Sequence, residues 1–589
     1  MKKTIRGANP YMPLWEHVPD GEPRVFEYNG ETRVYVYGSH DTMRTEYCGK
    51  DYVVWSAPAD DLTDWRCDGV CYESSNGSVL YAPDVAKKGD TYYLYSAENK
   101  GSKIFVSRSK SPIGPFTDPV LTDLGFDPGI LVDDDGRVYA YWGFCACYCA
   151  ELNEDMATIR PGTLHPHPMK HAFAPWITES AESHAIESCA DAQGRGLHPA
   201  SKDDAGQESD GQFGAEDAFF EASSPRKLFG KYVYIYSKRY STPVPELGVY
   251  GENNGFLSYK YSDRPLDGFL PGGDISFNGG EILKNPDGTG IMSYRWGNNH
   301  GSIMEINGKW YVFYHRQTGT DEFSRQAMLE PIDVAMDKNG KIFIGDITYE
   351  DGEPVASKPV EMTSQGAQVN GLDAYSLISA GYACHLSERL TGSKQCADAK
   401  NDKMEIKPEA ANTRPEAEHI RPAAAYIKPV YSKDPDISAP IVGITNGVTA
   451  GYRYLQFGQN SPKNVTAWIR VLDSKKPVDC ARDAVETCDT DSTSVENQAA
   501  CAESKEGLAK FTVNVRLDDY RGKICAVLST SESVHAACIV PDAAENVDTF
   551  APVTAPLTCG VFGRHAVYFE FLSENEDIVA EFDRFTFDC

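Results

Sequence analysis

The chain has 589 residues, of which 41% are hydrophobic and 11% aromatic, so it is long enough for several domains with large cores. Its 56 basic and 86 acidic residues give a formal net charge of −30. This excess of negative charge argues against nucleic acid and anionic membrane surfaces as partners, and it suits a soluble protein with a neutral substrate.

The first residues contain two lysines but no apolar segment behind them. No apolar stretch of the chain is long enough to span a bilayer. We therefore expect a cytoplasmic protein whose 16 cysteines are reduced. The run Cys145-Ala-Cys147-Tyr-Cys149 lacks the paired spacing of a zinc site, and we interpret it as part of a strand.

One short pattern occurs five times in the first 350 residues: a turn glycine followed by a run of aromatic and β-branched residues. The copies begin at Gly30, Gly89, Gly136, Gly230 and Gly308. The glycine supplies the positive φ of a tight hairpin, and the following run is typical of a strand. Five such copies predict a five-bladed β-propeller over residues 1–355, with side chains from different blades meeting at its axis. A stretch at about 160–217 interrupts the pattern, and we predict a long loop there.

The pattern changes from about residue 356. A polar, proline-containing stretch over 356–424 predicts a linker and loop region. Short alternating strands then recur over 425–589 and predict a jelly-roll-like β-sandwich. No strong helical segment interrupts this all-β organisation.

Three acidic sites lie beside predicted strands: Asp20 with Glu22, then Asp127, then Glu221. Burial raises the pKa of a carboxyl and is costly unless the group has a partner or a purpose. Acids beside prolines also begin ordinary turns, so the pattern alone leaves both interpretations open. Cleavage of a glycosidic bond requires a protonated acid and a second carboxylate, and three blades could supply such a set at one axis.

The order of several motifs resembles glycoside hydrolase family 43 over about residues 8–335. The motifs are Asn9-Pro-Tyr-Met-Pro, Tyr81-Ala-Pro-Asp84, Phe126-Asp-Pro-Gly-Ile-Leu-Val, Phe220-Glu-Ala-Ser and Gly297-Asn-Asn-His300-Gly-Ser. The resemblance implies a five-bladed propeller and an inverting, exo-acting glycosidase that releases pentose from plant-type oligosaccharides, with α-L-arabinofuranosyl units preferred. A β-xylosidase of the same family and a catalytically weak carbohydrate-binding scaffold are the alternatives.

The resemblance also implies roles for the acidic residues. Glu221 matches the general acid, and Asp127 matches the aspartate that modulates the pKa of that acid. The base is expected in the first blade, usually as an aspartate directly before proline, but here Asp20 precedes Gly21 and Glu22 precedes the proline. Both residues share one face of an extended chain, so alternation leaves Asp20, which we prefer, and Glu22 both open.

Further site residues follow from the same resemblance. Tyr81, Trp142 and Phe220 are candidates for an aromatic floor under the sugar. Arg325 resembles an arginine that contacts the substrate, and a surface salt bridge is its alternative. His300 resembles a histidine that faces the axis and contacts one calcium or sodium ion; no organic cofactor is implied.

The C-terminal region resembles a family 6 carbohydrate-binding module over about residues 425–589, with Tyr452, Tyr454 and Trp468 as candidate sugar contacts. The alternative is a domain that only supports the propeller. An oligosaccharide substrate is the partner we expect, without nucleic acid or membrane, and the sequence does not predict an oligomeric state.

Overall fold

A computed structural model describes residues 5–43, 45–144, 146–166, 218–240, 244–248, 253–294, 297–390, 419–430, 433–434, 437–473, 511–530, 550–573 and 578–588. Within these ranges the chain is all-β, with two short 3-10 turns at Pro245–Leu247 and Ala380–Tyr382 and no α-helix. No helix of this part is long and apolar enough to cross a membrane. Most of the loop predicted at 160–217, namely 167–217, lies outside the described residues.

Five antiparallel sheets follow one another between residues 22 and 358 of the described chain. The first contains β1 (Glu22–Tyr28), β2 (Glu31–Tyr37), β3 (Asp51–Pro58) and β4 (Arg66–Glu73). The second contains β5 (Tyr81–Lys88), β6 (Thr91–Glu98), β7 (Lys103–Ser109) and β8 (Thr117–Leu121). The third contains β9 (Gly129–Val132), β10 (Val138–Gly143), β11 (Cys147–Leu152) and β12 (His165–Pro166).

The fourth and fifth sheets continue this order. The fourth contains β13 (Ala218–Leu228), β14 (Lys231–Tyr240), β15 (Asn253–Ser262) and β16 (Leu270–Phe277). A small hairpin follows, β17 (Ile282–Lys284) with β18 (Gly290–Met292). The fifth contains β19 (Ser302–Ile306), β20 (Lys309–Gln317), β21 (Arg325–Met336), β22 (Ile342–Glu350) and β23 (Glu353–Lys358).

The repeated glycines all lie in the hairpin that leads into the second strand of a sheet. Their φ angles are 81° at Gly30, 62° at Gly89, 83° at Gly136, 79° at Gly230 and 76° at Gly308. Side chains rarely tolerate such angles, which explains why glycine recurs there. The predicted turn and strand are thus confirmed at each copy. In every one of these sheets the copy forms the second strand, which pairs with the first.

The remaining strands form two C-terminal sheets. They are β24 (Leu372–Asp373), β25 (Ile378–Ser379), β26 (His385–Leu390), β27 (His419–Pro422), β28 (Tyr426–Ile427), β29 (Ile441–Ile444), β30 (Val448–Gln456), β31 (Asn464–Asp473), β32 (Phe511–Leu517), β33 (Ile524–Ser529), β34 (Ala551–Pro556), β35 (Arg564–Ser573) and β36 (Ile578–Asp588). One sheet has the order β27-β26-β30-β35-β32-β33, with β24 also beside β30. The other has the order β28-β29-β36-β31-β34, with β25 also beside β36.

Residues 356–424, predicted to be a linker and loop region, contain paired strands in the part that the structure describes. Strands β24 to β27 lie in this range and pair within the C-terminal sheets. They are two to six residues long, which is too short for alternation to be recognised in the sequence.

One apolar core joins the two halves of the described chain. The same cluster of buried side chains includes Ile235 of β14, Met328 of β21, Tyr452 of β30 and Phe582 of β36. All four are fully buried. The C-terminal sheets therefore pack against the fourth and fifth sheets as a continuous interior.

A buried ionic network connects the first strands of the N-terminal sheets. Arg226 of β13 donates a hydrogen bond of 2.5 Å to Glu22 of β1, and Arg24 of β1 donates one of 2.6 Å to Asp84 of β5. A salt bridge of 3.2 Å between Arg24 and Glu22 joins these two pairs. Two acids and two arginines are thus held together in the interior, each with an opposite charge beside it.

The same network reaches the other two sheets through backbone groups. Asp84 accepts a hydrogen bond of 2.6 Å from the backbone N–H of Ile130 in β9. Arg226 donates one of 2.8 Å to the carbonyl of Ile303 in β19. All five N-terminal sheets are therefore linked through these few side chains.

We expect Arg226→Met to destabilise the protein by about 3–5 kcal/mol, because it removes one partner of the buried Glu22 carboxylate. Thermal unfolding followed by calorimetry measures the loss. Lys110→Met is the control, since Lys110 and Asp90 form an exposed ion pair of 2.9 Å that should contribute no measurable stability. Equal transition temperatures for Arg226→Met and the wild type would contradict the role given to the network.

Candidate active site

The three predicted acidic sites lie at the first strands of three sheets, where the backbone departs from regular β-structure. Asp20 precedes β1 with φ 57°, and Asp127 precedes β9 with φ 49°. Glu221 lies in β13 between two register shifts, next to Ala222 with φ 68°. Aspartate tolerates such angles better than most residues, and a bulge redirects a side chain. All three carboxyls are buried.

Asp20 lies in a polar pocket built by the first and fifth sheets. Its Oδ2 accepts a hydrogen bond of 2.6 Å from Ser39, and its Oδ1 accepts one of 2.9 Å from Nη1 of Arg325. Burial raises the pKa of Asp20, but the charge of Arg325 and the bond from Ser39 help to lower it, so that it stays below its usual range. Asp20 is therefore an ionised carboxylate at neutral pH.

Asp127 and Glu221 have the opposite electrostatic character. Burial, followed by the charge of Asp20, raises the pKa of Glu221 to about 8. Burial and repulsion from Glu221 raise the pKa of Asp127 as well, although the N–H of Ala222 donates a hydrogen bond of 3.2 Å to it. Neighbouring buried carboxyls cannot all be charged, so this pair retains a proton at neutral pH. Glu221 can therefore act as a proton donor.

Two histidines lie beside these acids. His300 Nδ1 is 3.6 Å from Asp127 Oδ2 and 3.9 Å from Asp20 Oδ1. His315 Nδ1 in β20 accepts a hydrogen bond of 3.4 Å from the N–H of Asp20. Burial lowers the pKa of His300, and burial with the charge of Arg325 lowers the pKa of His315 to about 3. Both rings are therefore neutral at physiological pH.

Glu22 lies in the ionic network described above. Its two carboxylate oxygens accept hydrogen bonds from Arg226 (2.5 Å) and Ser224 (2.9 Å). Burial raises the pKa of Glu22, but the charges of Arg226 and Arg24 lower it by more, so that it is below its usual range. Asp20 thus lies 3.9 Å from His300 Nδ1, whereas the Glu22 carboxylate is held by Arg226 and Arg24.

Arg325 is buried inside the site, so the alternative of a surface salt bridge is wrong. Its Nε and Nη2 both donate hydrogen bonds of 3.0 Å to the two oxygens of Asp41, and its Nη1 reaches Asp20. The backbone N–H of Arg325 donates a further bond of 3.1 Å to Asp41. The guanidinium group is thus fixed between two aspartates and orients the Asp20 carboxylate.

The prediction that Trp142 forms part of a sugar-binding floor is wrong. Its side chain is 1% exposed and its ring stacks on Tyr148 at 5.9 Å, inside the core between the second and third sheets. Neither face of the indole is open to a ligand. The strand that carries it, β10, is buried along its whole length.

Tyr81 and Phe220 lie at the two ends of a row of aromatic rings near the acids. Ring centroids are 6.0 Å apart from Tyr81 to Phe126, 5.2 Å from Phe126 to Phe144, and 5.1 Å from Phe144 to Phe220. Tyr81, Phe126 and Phe144 are partly exposed, whereas Phe220 is 7% exposed under the guanidinium of Arg239 at 4.6 Å. The accessible apolar surface beside Asp127 therefore comes from the first three rings.

Comparison with known proteins places the chain in a family. The protein-family model "Glycosyl hydrolases family 43" matches residues 21–186 of the sequence, a range that includes Asp127. A "Xylosidase/arabinosidase" of Thermoclostridium stercorarium is 35% identical over 401 residues, which cover 64% of this chain and 72% of that protein. The chain belongs to glycosyl hydrolases family 43.

Two further similarities cover different shares of this family 43 hydrolase. An "Arabinoxylan arabinofuranohydrolase" of Paenibacillus polymyxa is 29% identical over 349 residues, covering 52% of this chain and 46% of that protein. A solved structure of a family 43 arabinoxylan arabinofuranohydrolase from Bacillus subtilis, in complex with cellotetraose, covers 98% of this chain and 97% of that chain, with 19% identity and a TM-score of 0.38.

Sequence reasoning missed three residues that contact Asp20 or Arg325 in this structure: Ser39, Asp41 and His315. His315 had a recognisable signal, because it ends the fifth copy of the repeat where other copies end in glycine or serine. Asp41 had none, since its partner Arg325 lies 284 residues further along the chain.

The metal predicted at His300 finds few protein ligands. The described residues contain no group of three or more His, Cys, Asp or Glu side chains that could hold a metal ion. Calcium prefers six to eight oxygen ligands, so an ion beside His300 would take most of its ligands from water. The donor set fits a hydrated ion and does not form a closed protein cage.

Of the three C-terminal aromatics predicted to contact sugar, Tyr452 is fully buried, and its hydroxyl donates a hydrogen bond of 3.0 Å to the carbonyl of Ala380. The prediction is therefore wrong for Tyr452. Tyr454 is partly exposed, with the guanidinium of Arg564 4.1 Å from its ring. Trp468 is also partly exposed.

We expect the stability gained by Glu221→Gln, relative to the wild type, to grow as the pH rises from about 4.5 to about 8. The unfolded chain releases the Glu221 proton near the ordinary pKa of 4.5, whereas the folded protein holds it until about 8, so wild-type stability falls over this window. Glutamine does not titrate, and the variant should be about 1–3 kcal/mol more stable at pH 7. Transition temperatures from pH 4 to 9 measure the difference.

The exposed substitution Glu350→Gln is the control for this experiment and should give no gain that depends on pH. A Glu221→Gln variant that is less stable than the wild type at every pH would contradict a buried, protonated Glu221.

Proposed function

We propose that this family 43 hydrolase is an inverting, exo-acting pentosidase that releases α-L-arabinofuranosyl units, and also β-xylosyl units, from plant-type oligosaccharides. One observation carries the proposal: a buried site holds an ionised carboxylate, Asp20, together with a protonated carboxyl, Glu221. Inverting hydrolysis requires this combination. The names of the relatives from Thermoclostridium stercorarium and Paenibacillus polymyxa support pentose as the sugar.

The proposed reaction is a single displacement at the anomeric carbon. Glu221 gives its proton to the glycosidic oxygen as the bond from that oxygen to the anomeric carbon breaks. Asp20 accepts a proton from a water molecule on the opposite face, and the water oxygen forms the new bond. Inverting enzymes hold these two carboxyls about 6.5–9.5 Å apart to make room for the water.

The neighbouring groups of the site have supporting roles in this proposal. Arg325 and Ser39 keep Asp20 ionised and oriented, so it is ready to accept a proton. Burial and the charge of Asp20 favour the acid form of Glu221. Asp127 keeps the role of pKa modulator in this proposal, because two neighbouring buried carboxyls resist a second ionisation. Tyr81, Phe126 and Phe144 offer apolar ring surface to the sugar.

We also infer the architecture around this site. The five consecutive N-terminal sheets are five blades of a propeller, because each contributes its first strand to the shared ionic network. The two C-terminal sheets form a sandwich of the type found in family 6 carbohydrate-binding modules. The partly exposed Tyr454 and Trp468 are then its candidate sugar contacts.

We expect the wild type to hydrolyse 4-nitrophenyl α-L-arabinofuranoside and, more slowly, the β-D-xyloside. Glu221→Gln and Asp20→Asn should each lower kcat by about 10²- to 10⁴-fold, because each removes one proton transfer. Glu22→Gln is the matched carboxyl-to-amide control. Its kcat per folded molecule should stay close to that of the wild type.

A second substrate separates the acid from the base. Nitrophenolate leaves with little help from an acid, so the loss in Glu221→Gln should be greater on an unactivated arabinoxylo-oligosaccharide than on the aryl glycoside. The loss in Asp20→Asn should be similar on both. A wild type that binds these sugars but cleaves none of them would favour the carbohydrate-binding scaffold, and loss of activity in Glu22→Gln alone would make Glu22 the base.

For His300, we propose a hydrated calcium or sodium ion beside its ring, in keeping with its position near Asp20 and Asp127. Added calcium should raise the transition temperature of chelator-treated protein, because an ion that binds only the folded state stabilises it. His300→Ala should abolish this increase. An equal increase in wild type and variant would place the ion elsewhere.

A further inference from the structure

The hairpin β20–β21 carries site residues on one face and different polar residues on the other. His315 and Arg325 lie on the face toward Asp20. Arg316 and Gln326 are directly paired in the antiparallel register and lie on the opposite face, since neighbouring strand residues alternate. Contacts that fix Arg316 and Gln326 therefore also fix the neighbouring residues His315 and Arg325, which lie on the same two strands.

Arg316 is fully buried, and its hydrogen bonds reach into the C-terminal half. Its two terminal nitrogens donate to the carbonyls of Gly381 and Ala383, in and directly after the 3-10 turn Ala380–Tyr382. Its Nε and Nη2 also donate to Gln326 Oε1, at 3.3 and 3.1 Å. The fork of the guanidinium thus joins the back of the hairpin to a backbone turn that belongs to neither strand.

This turn cannot move freely. A Cβ atom on Gly381 would lie 2.8 Å from the carbonyl oxygen of Ala439 and 3.1 Å from Leu14. Gln326 in turn donates a hydrogen bond of 3.0 Å to the carbonyl of Leu14. Arg316 is therefore held against a closely packed surface, where small displacements produce steric contacts.

A second set of hydrogen bonds holds the loop between the two strands. The N–H of Ile427, in β28, donates a bond of 3.0 Å to the carbonyl of Thr318, and the hydroxyl of Thr320 donates one of 3.0 Å to the carbonyl of Ile427. The hydroxyls of Thr318 and Ser324 lie 2.6 Å apart and close the loop just before Arg325. The C-terminal half thus contacts the hairpin on its back face and at its end.

We propose that Arg316 is a positioning residue through which the C-terminal half holds Arg325 against Asp20, so that this half is a structural part of the active site. The inference rests on the proposed function, since it assigns the aligned Asp20 a role in hydrolysis. It gives the C-terminal half a role that needs no sugar bound to it. Lysine cannot replace the planar fork that reaches two carbonyls and a side chain at once.

A double-mutant cycle of Arg316→Lys and Arg325→Lys tests the proposal. If Arg316 acts through Arg325, Arg316→Lys alone should lower kcat by about 10- to 100-fold with little change in KM, as expected for a misplaced group. In the Arg325→Lys background it should cost almost nothing more, because coupled residues are not additive. All rates are compared per folded molecule, well below the transition temperatures.

Tyr452→Phe is the matched control, because it removes a hydrogen bond of 3.0 Å to the same turn, at Ala380, and leaves every hydrogen-bonding group of Arg316 and its partners in place. It should lower the transition temperature and leave kcat unchanged in both backgrounds. If Arg316→Lys does not fold, Gln326→Met replaces it, since it removes the acceptor beside Arg316 and should give the same coupling in weaker form.

Losses in kcat that multiply in the double variant would overturn the proposal, as would wild-type kcat in folded Arg316→Lys. The transition temperatures of the same four proteins form a second cycle that needs no substrate. Independent contributions of Arg316 and Arg325 to stability would therefore refute the coupling even if the wild type cleaved neither glycoside. If the wild type cleaved neither glycoside but the stability cycle showed coupling, only the pentosidase assignment would be refuted.

Discussion

The position of every first strand in the N-terminal half depends on the buried network of Glu22, Arg24, Asp84 and Arg226. Buried charges are costly unless each is paired, so the strands that carry these residues can pack only in an arrangement that brings all four together. Backbone groups of the third and fifth sheets complete the set. The network therefore determines where Asp20, Asp127 and Glu221, which border the same strands, lie relative to one another.

Burial and nearby arginines act in opposite directions on the pKa values of Glu22, Asp20, Asp127 and Glu221. Glu22 has two arginines and stays charged, and Asp20 shares Arg325 with Asp41 and also stays charged. For Asp127 and Glu221, burial and repulsion from neighbouring carboxyls outweigh the charges of the nearby arginines, so their pKa values rise. In the proposed mechanism, acid and base functions thus arise from the same type of side chain in two environments.

The repeat with its turn glycines was sufficient to predict the second strand of all five N-terminal sheets, because it combines a backbone requirement with a strand pattern. The three acidic positions could also be identified from the sequence, through their apolar neighbours and family motifs. The choice between Asp20 and Glu22 could not be made from alternation, since Asp20 has a positive φ and does not follow the strand geometry. Trp142 was misjudged because an aromatic ring in a strand is equally suited to the core, and the pairing of Asp41 with Arg325 depends on packing between distant segments.

The core shared by the two halves also limits how proteins of this architecture can change during evolution. A domain connected only by a linker can be exchanged, duplicated or lost as a unit, with little effect on its neighbour. Here Ile235 and Met328 are buried in the same cluster as Tyr452 and Phe582, so removal of the C-terminal sheets would expose an apolar surface on the fourth and fifth sheets. Recombination near residue 358 would therefore require either a partner whose facing surface matches or polar substitutions on the exposed face of the fourth and fifth sheets.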